Sequence, residues 1–237
     1  MLPLTIGLVA VAAVMHAAWN ILLKTSGDPL VTSARAMGAA AVACAPLGIV
    51  AWLVTDRPGL GWTAVAIAMA SSLVELFYFT FLSEAYRRGD LSTVYPLARG
   101  TAPVLAVLAG IFLLREPTTA PSIIGIVLLV SGIWLVRRPR AAGRATVPAL
   151  ATGVCIATYS ALDKVGVTLA APWLYGWVMW TATAVWLVVF AWVRRRGKSV
   201  ADAVHRSDDA TWGTALVVGA LITLSLIHIS EPTRQAE

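Results

Sequence analysis

The chain has 237 residues, of which 59% are hydrophobic and 13% are charged, and its mean hydropathy is +0.79. Soluble globular proteins carry about 25% charged residues, so this composition argues against an ordinary soluble domain and favours a protein of the lipid bilayer. The formal net charge of +6 comes mainly from arginines between apolar stretches, which argues against a nucleic-acid partner. Both cysteines, Cys44 and Cys155, lie in apolar stretches and indicate neither a disulfide nor a metal site.

Apolar stretches taken in chain order predict seven spanning helices and the start of an eighth. About 20 residues, each rising roughly 1.5 Å, cross the hydrocarbon layer of a bilayer. The predicted helices cover residues 2–23, 30–54, 62–86, 91–116, 121–136, 147–169 and 173–193, and residues 211–223 begin the eighth. The first stretch lacks a basic leader and a small-residue cleavage site, so a spanning helix is favoured over a signal peptide. The predicted fold class is an all-α integral membrane bundle.

Polar side chains recur along the first predicted helix. His16, Trp19, Asn20 and Lys24 are spaced by three, one and four residues, which places them on one helical face. This face is either a cavity wall or helix contact, or an interfacial tryptophan belt with Lys24 reaching toward the headgroups. For Lys24 the second interpretation is favoured, and for Trp19 and Asn20 both stay open.

The fourth predicted helix carries Arg99, Pro96 and Pro103 within an otherwise apolar stretch. Each proline removes a backbone donor, and an arginine inside the bilayer costs at least about 3 kcal/mol. Such features persist in lipid only where neighbouring helices or a water-filled cavity satisfy the polar groups. We therefore expect this helix to line a cavity. A stripe of small residues on the same helix is expected to serve close packing and consists of Ala98, Ala102, Ala106 and Gly110.

Glu75 and Arg99 form the sharpest predicted pair. Their helices are joined by a short turn, and both residues lie about 12–16 Å from that turn, so their side chains are expected to meet. A small solute or a proton would compete for this pair, or else the two residues form a static structural ion pair. The residues assigned to a substrate or proton pathway are Glu75, Arg99, Tyr95, Trp19, Asn20 and Tyr159.

The aromatic members of that set have a simpler alternative, because single aromatic residues in membrane helices more often serve packing or interface anchoring. Glu84, Glu116 and Asp163 are expected to be solvated near helix ends. The sequence contains no nucleophile–base pair, metal cluster or phosphate-binding loop, so we expect no catalytic residues, no metal, no cofactor and no enzyme activity.

An internal repeat connects the two parts of the chain. Residues 17–24 read AAWNILLK and residues 157–164 read ATYSALDK, on either side of the basic linker RRPRAAGR at 137–144. Five predicted helices precede the linker, and an odd number inverts the second copy in the membrane. Inverted repeats are typical of secondary transporters. The predicted organisation is a first repeat at 1–136, a linker at 137–146 and a partial second repeat at 147–223.

The chain resembles the ten-helix, EamA-type branch of the drug/metabolite transporter superfamily. The resemblance is carried by HAAWNILLK at 16–24, by AYRRGDLSTVYPLARGTAPVLAVLAGIFLLREP at 85–117, by GIVLLVSGIWLV at 125–136 and by the second-repeat opening at Ala157. It implies two inverted five-helix halves, of which the second is incomplete here, with seven full spans and a partial eighth.

The same resemblance implies a multi-pass secondary transporter that exports small organic metabolites or drugs across a bacterial inner membrane. The partners expected from it are the lipid bilayer, a small-molecule substrate, protons and a second copy of the chain in a homodimer. The alternative functions are a lipid-handling membrane protein and a non-transporting membrane scaffold.

The last residues, 224–237, read LSLIHISEPTRQAE. This segment is similar to the translation of a transposase mosaic end joined to a sequencing adapter. We expect it to be non-biological, with the natural chain continuing beyond Thr223; the alternative is a genuine polar tail.

The charges between the helices predict an orientation. Loops after odd-numbered helices carry most of the lysines and arginines, including Arg87, Arg138 and Arg194. The positive-inside rule places these loops in the cytoplasm and the N-terminus outside. The family resemblance implies a cytoplasmic N-terminus instead, and of the two the charge bias is favoured.

Overall fold

The computed structural model of the chain describes residues 2–112, 119–136, 143–196 and 212–234. Its regular structure in these ranges is helical, with no strand. The helices are α1 Leu2–Thr25, α2 Pro29–Val54, α3 Trp62–Arg88, α4 Leu91–Phe112, α5 Ala120–Val136, α6 Thr146–Leu169, α7 Pro172–Arg196 and α8 Trp212–Arg234.

Helix ends that are fixed by capping hydrogen bonds or by proline lie close to the predicted ends. Asp28 accepts a hydrogen bond from the backbone N–H of Leu30 at 3.0 Å, and Pro29 occupies the first position of α2. A side-chain acceptor followed by proline is a standard helix start, because the first turn has unpaired N–H groups. At the end of α3, the N–H of Gly89 bonds the carbonyl of Ala85 at 3.0 Å. The predicted end of the fourth helix at Glu116 and most of the basic linker lie outside the described residues.

The surface of the helices suits a bilayer. Four helical stretches among the described residues are long and apolar enough to cross a membrane: Pro29–Val54, Trp62–Arg88, Gly143–Leu169 and Pro172–Arg194. Shorter apolar helical segments are Ala10–Thr25, Ile123–Gly132 and Trp212–Thr223. Large apolar side chains are exposed on most of the helices, which in water would be unfavourable. The predicted all-α membrane class is confirmed, whereas the inverted repeats and the number of spans stay predictions.

The chain forms two compact units by its contacts. One comprises Met1–Ile49 and Leu187–Glu237. Within it α1 packs against α8. Helix α8 also approaches α2, since a Cβ added at Gly219 would lie 2.6 Å from the carbonyl oxygen of Ala36. The guanidinium of Arg35 lies 5.1 Å from the ring centroid of Trp212, which adds a cation–π contact between the same two helices.

The other unit comprises Val50–Trp186, and α6 is its central contact element. Helix α6 packs extensively against both α3 and α4, whereas α3 and α4 contact each other only slightly. This differs from the expectation that the two sequential helices pack as direct neighbours. Gly153 explains the close approach of α6 to α4, because a Cβ there would lie 2.7 Å from Thr101 Cβ and 2.9 Å from the carbonyl oxygen of Ala98.

The small-residue stripe of α4 has the packing role that was predicted for it, as far as the structure describes it. Ala98 and Ala102 are buried. Small residues allow two helix backbones to approach closely and gain van der Waals contact in a bilayer, where lipid provides no hydrophobic driving force. The surroundings of Ala106 and Gly110 lie outside the description.

Candidate functional site

One face of α3 carries a row of polar side chains inside the second unit. Ser71, Ser72, Glu75 and Tyr78 recur at helical spacing, and all four are buried. Neither lipid nor an apolar helix face offers hydrogen bonds, so these groups need partners within the protein. Ser72 donates to the carbonyl of Met69 in its own helix at 2.8 Å, and the other partners lie on neighbouring helices.

Helix α7 supplies two of those partners. The hydroxyl of Thr183 donates a 2.7 Å hydrogen bond to Oε2 of Glu75. One turn away, the indole N–H of Trp186 donates to the hydroxyl of Ser72 at 3.2 Å. Two adjacent hydrogen bonds therefore join α3 to α7 at the level of the buried acid.

Asp163 on α6 forms a second polar junction. Its Oδ1 accepts a hydrogen bond from Ser71 at 2.6 Å and another from the hydroxyl of Tyr175 at 2.8 Å. Gly166 lies under the Tyr175 ring, where an added Cβ would come within 2.1 Å of a ring carbon. The expectation that Asp163 is solvated near a helix end is wrong, because α6 continues to Leu169 and presents the carboxylate to α3 and α7.

Arg99 of α4 lies half-buried against aromatic rings. Its Nη2 donates to the hydroxyl of Tyr78 at 3.1 Å, and its guanidinium carbon lies 5.9 Å from the centroid of the same ring. Tyr78 in turn meets Tyr159 of α6 edge-to-face, with the ring centroids 5.9 Å apart. Tyr95 is close enough to interact electrostatically with Arg99. The structure thus brings together three predicted residues, Arg99, Tyr95 and Tyr159, around Tyr78.

The predicted pairing of Glu75 with Arg99 is wrong. In the described ranges, these two residues form no ion pair: Thr183 holds Glu75 and Tyr78 holds Arg99. The physical reason is the packing of α6 against both α3 and α4, which leaves those two helices little direct contact. Glu84 does lie near the end of α3, where it binds Arg87 and Arg88 at the surface. Glu116 lies outside the described residues.

A crevice opens beside Arg99, along α4 and α6. Its volume is about 280 Å³, and it is lined by Arg99, Ala102, Pro103, Ile156, Ala157 and Ser160. Helix α4 continues through both Pro96 and Pro103. Since Pro103 has no N–H to donate to the residue four positions earlier, the carbonyl of Arg99 loses its usual helical donor at the edge of this crevice. The position of the crevice agrees with the expectation that the fourth helix lines a cavity.

The predicted site residues of α1 belong to the other compact unit. The indole N–H of Trp19 donates to Nδ1 of His16 at 3.1 Å, and Nδ2 of Asn20 donates to the carbonyl of His16 at 2.7 Å. Both Trp19 and Asn20 are buried, so a helix contact or cavity wall describes them better than an exposed interfacial belt. Their part in a substrate pathway stays a prediction.

Residues 3–138, more than half of the chain, match the model of the EamA-like transporter family. The chain belongs to the EamA-like transporter family. With its long apolar helices, this member of the family is a multi-pass membrane protein.

A curated relative of this EamA-like transporter is the multidrug resistance protein EbrB of Bacillus licheniformis, 34% identical over 62 residues. The alignment covers 26% of this chain and 52% of EbrB. The chain thus spans about half the length of the curated relative it matches. No solved structure matches the chain.

Sequence reasoning missed several polar residues of this EamA-like transporter. Tyr78 and Ser71 could have been found from their helical spacing to Glu75, and Asp163 from its position one turn after Tyr159. Thr183 gives no such signal, because threonines in membrane helices commonly bond their own backbone. Thr183 does so as well, donating to the carbonyl of Met179 at 3.1 Å.

Proposed function

We propose that this chain is a secondary active exporter of small organic metabolites or drugs across a bacterial inner membrane. The observation that carries the proposal is the crevice of about 280 Å³ that Arg99 lines together with apolar residues of α4 and α6. A half-buried cation beside a cavity inside a membrane bundle is typical of a solute pathway, because an intramembrane charge without such a role is costly.

The size and lining of the crevice suit small organic solutes. Ligand pockets in proteins commonly enclose about 300–1,000 Å³ and combine apolar walls with a few polar groups. The crevice, at about 280 Å³, lies just below that range, and its polar residues are Arg99 and Ser160. The similarity to EbrB, a multidrug resistance protein, supports outward transport of drugs as one activity of the proposed class.

Glu75 is the residue to which we assign proton coupling. A carboxyl group can bind and release a proton, and chains of such groups inside membrane bundles serve as proton relays. Glu75 is buried, and its hydrogen-bond partner is the hydroxyl of Thr183 rather than a cation. A hydroxyl can donate to a carboxylate or accept from a carboxylic acid, so this contact is compatible with both protonation states.

Inside-out vesicles from bacteria that express the chain test the proposal. The vesicles are acidified by respiration, and the recovery of acridine-dye fluorescence is followed as each compound of a drug and metabolite panel is added. We expect at least one compound to release protons with the unsubstituted chain. Glu75→Gln abolishes that release, and Arg99→Gln reduces it.

Glu84→Gln is the matched control, because it neutralises a carboxylate of the same helix at the exposed end of α3. This variant should transport normally. Normal transport by both Glu75→Gln and Arg99→Gln would show that the assigned residues are wrong. The lipid-handling and scaffold alternatives both predict no response to any compound.

A further inference from the structure

We propose that the crevice beside Arg99 binds an amphipathic organic anion, with its carboxylate on the guanidinium and a compact apolar body between α4 and α6. This inference deepens the proposed function and rests on it, since it names the chemical class of solute that enters the same crevice. Three observations carry it: the unbalanced charge of Arg99, the donors that Arg99 has left over, and the lining of the crevice.

The charge of Arg99 is not balanced by an acid in the described part of the chain. Its ionisable neighbours, those that interact with it electrostatically, are Tyr78, Tyr159, Tyr95 and Tyr86. Tyrosine is neutral at neutral pH, whereas a guanidinium is always charged in proteins. An ionised group that is withdrawn from water needs an opposite charge, and the described residues around Arg99 do not provide one.

Arg99 has donors left to hold such an anion. A guanidinium has five N–H donors, and one nitrogen, Nη2, is used by the hydroxyl of Tyr78. The two-pronged geometry of guanidinium matches the two oxygens of a carboxylate, and such charge-assisted pairs are stronger than neutral hydrogen bonds. Tyr78 therefore uses one nitrogen of the guanidinium, and the donors on the other nitrogens remain to bind a ligand.

The other walls of the crevice define the rest of the ligand. Ala102, Pro103, Ile156 and Ala157 present apolar surface, and Ser160 adds one hydroxyl. A volume of about 280 Å³ accommodates a body the size of a single aromatic ring or a short branched chain. The lining therefore favours a small carboxylate with an apolar group over a sugar or a highly charged solute.

A cation is disfavoured at the same place. The two carboxyl groups of this region, Glu75 and Asp163, do not line the crevice, and both accept hydrogen bonds from protein hydroxyls. The charge that a ligand meets is positive. Arg99 would therefore bind the solute in the crevice, whereas Glu75, which does not line the crevice, would bind the proton.

Three probes of nearly equal shape and different charge test the inference: benzoate, benzamide and benzamidine. Their binding to the purified intact protein in lipid nanodiscs is measured by equilibrium dialysis. We expect benzoate to bind and benzamidine not to bind. The affinity for benzamide should be lower than that for benzoate by a factor of about ten or more. Arg99→Gln removes the preference for benzoate, whereas Arg99→Lys, which keeps the charge without the fork, retains part of it.

Two further variants separate binding from folding. Ala157→Leu fills the crevice while Arg99 stays in place, so it should lower benzoate binding. Arg57→Gln removes an exposed arginine, one that stacks on Trp52 away from the crevice lining, and it should leave benzoate binding unchanged. The thermal unfolding midpoint of every variant shows whether the protein remains folded.

Benzoate binding that is absent at millimolar concentration, equal to that of benzamidine, or unchanged in a folded Arg99→Gln variant overturns the inference. Benzoate that binds through Arg99 while no compound of the vesicle panel is transported leaves the site intact and rejects the proposed export. If panel compounds are transported but anions are not preferred, the proposed export is supported and the anion site at Arg99 is rejected.

Discussion

Thr183 holds the carboxyl group of Glu75 by a 2.7 Å hydrogen bond that joins α7 to α3 between two buried side chains. A hydroxyl, not a cation, is thus the partner of this acid. The same α3 face reaches Asp163 through Ser71 and Arg99 through Tyr78. The stability of the second unit and its proposed transport chemistry therefore depend on the same row of polar residues.

Thr183→Val should destabilise the protein. The substitution keeps the shape of the side chain and removes the donor to Glu75, and a buried polar group left without its partner costs about 1–3 kcal/mol. Thermal unfolding in detergent measures the effect. Thr183→Ser keeps the hydroxyl, so it should lower the unfolding midpoint less than Thr183→Val does.

Thr181→Val serves as the matched control on the same helix. In the described part of the chain, Thr181 donates to the carbonyl of Trp177 in its own helix, at 2.7 Å, and not to another helix. We therefore expect a change within about 0.5 kcal/mol. Equal unfolding midpoints for the Thr181 and Thr183 variants would contradict the role given to the Glu75 contact.

Asp163→Ala should cost more stability than Asp163→Asn. Asparagine retains an oxygen that can accept from both Ser71 and Tyr175, whereas alanine leaves two donors unpaired, at about 1–3 kcal/mol for each buried one. A double-mutant cycle with Tyr175→Phe should give a coupling energy of about 0.5–3 kcal/mol. Additive effects in that cycle would mean that the hydrogen bond between Tyr175 and Asp163 contributes nothing.

Gly153→Ala should force α4 and α6 apart. The new methyl group would lie 2.9 Å from the carbonyl oxygen of Ala98, which is backbone and cannot rotate away. Overpacking of this kind costs about 1–3 kcal/mol. Gly176→Ala is the control, because nothing lies within 4 Å of an added Cβ there. Alanine should stabilise that helical position by up to about 1 kcal/mol. The unfolding midpoints should therefore shift in opposite directions, and a harmless Gly153→Ala would argue against the close helix contact.

The orientation in the membrane can be measured by cysteine labelling. In a background with Cys44 and Cys155 replaced by alanine, single cysteines are placed at Asp56 and Arg140. The charge bias predicts that an impermeant maleimide labels position 56 in whole cells and position 140 only after permeabilisation. The reverse pattern would favour the cytoplasmic N-terminus that the family resemblance implies.

Much of the helical layout could be predicted from the sequence because its signals are local. The lengths of the apolar stretches, and turn residues such as Asp28 and Pro29, locate helix ends within a few residues. Charged groups inside apolar stretches also indicate that Glu75 and Arg99 need partners and that the helix of Arg99 borders a cavity. The family resemblance is confirmed over residues 3–138, whereas the part of it that rests on the second opening at Ala157 stays a prediction.

The partners themselves were decided by tertiary structure. Helical periodicity tells which residues share a face, but it does not tell which helix that face meets. Close contact at Gly153 brings α6 against α4, and α6 also packs against α3. For this reason Arg99 meets Tyr78 instead of Glu75, and Asp163 accepts hydrogen bonds from the hydroxyls of Ser71 and Tyr175. Composition and periodicity are thus enough to predict an all-helical membrane chain with polar groups in its interior, whereas the close packing of helices at small residues such as Gly153 sets how those groups pair.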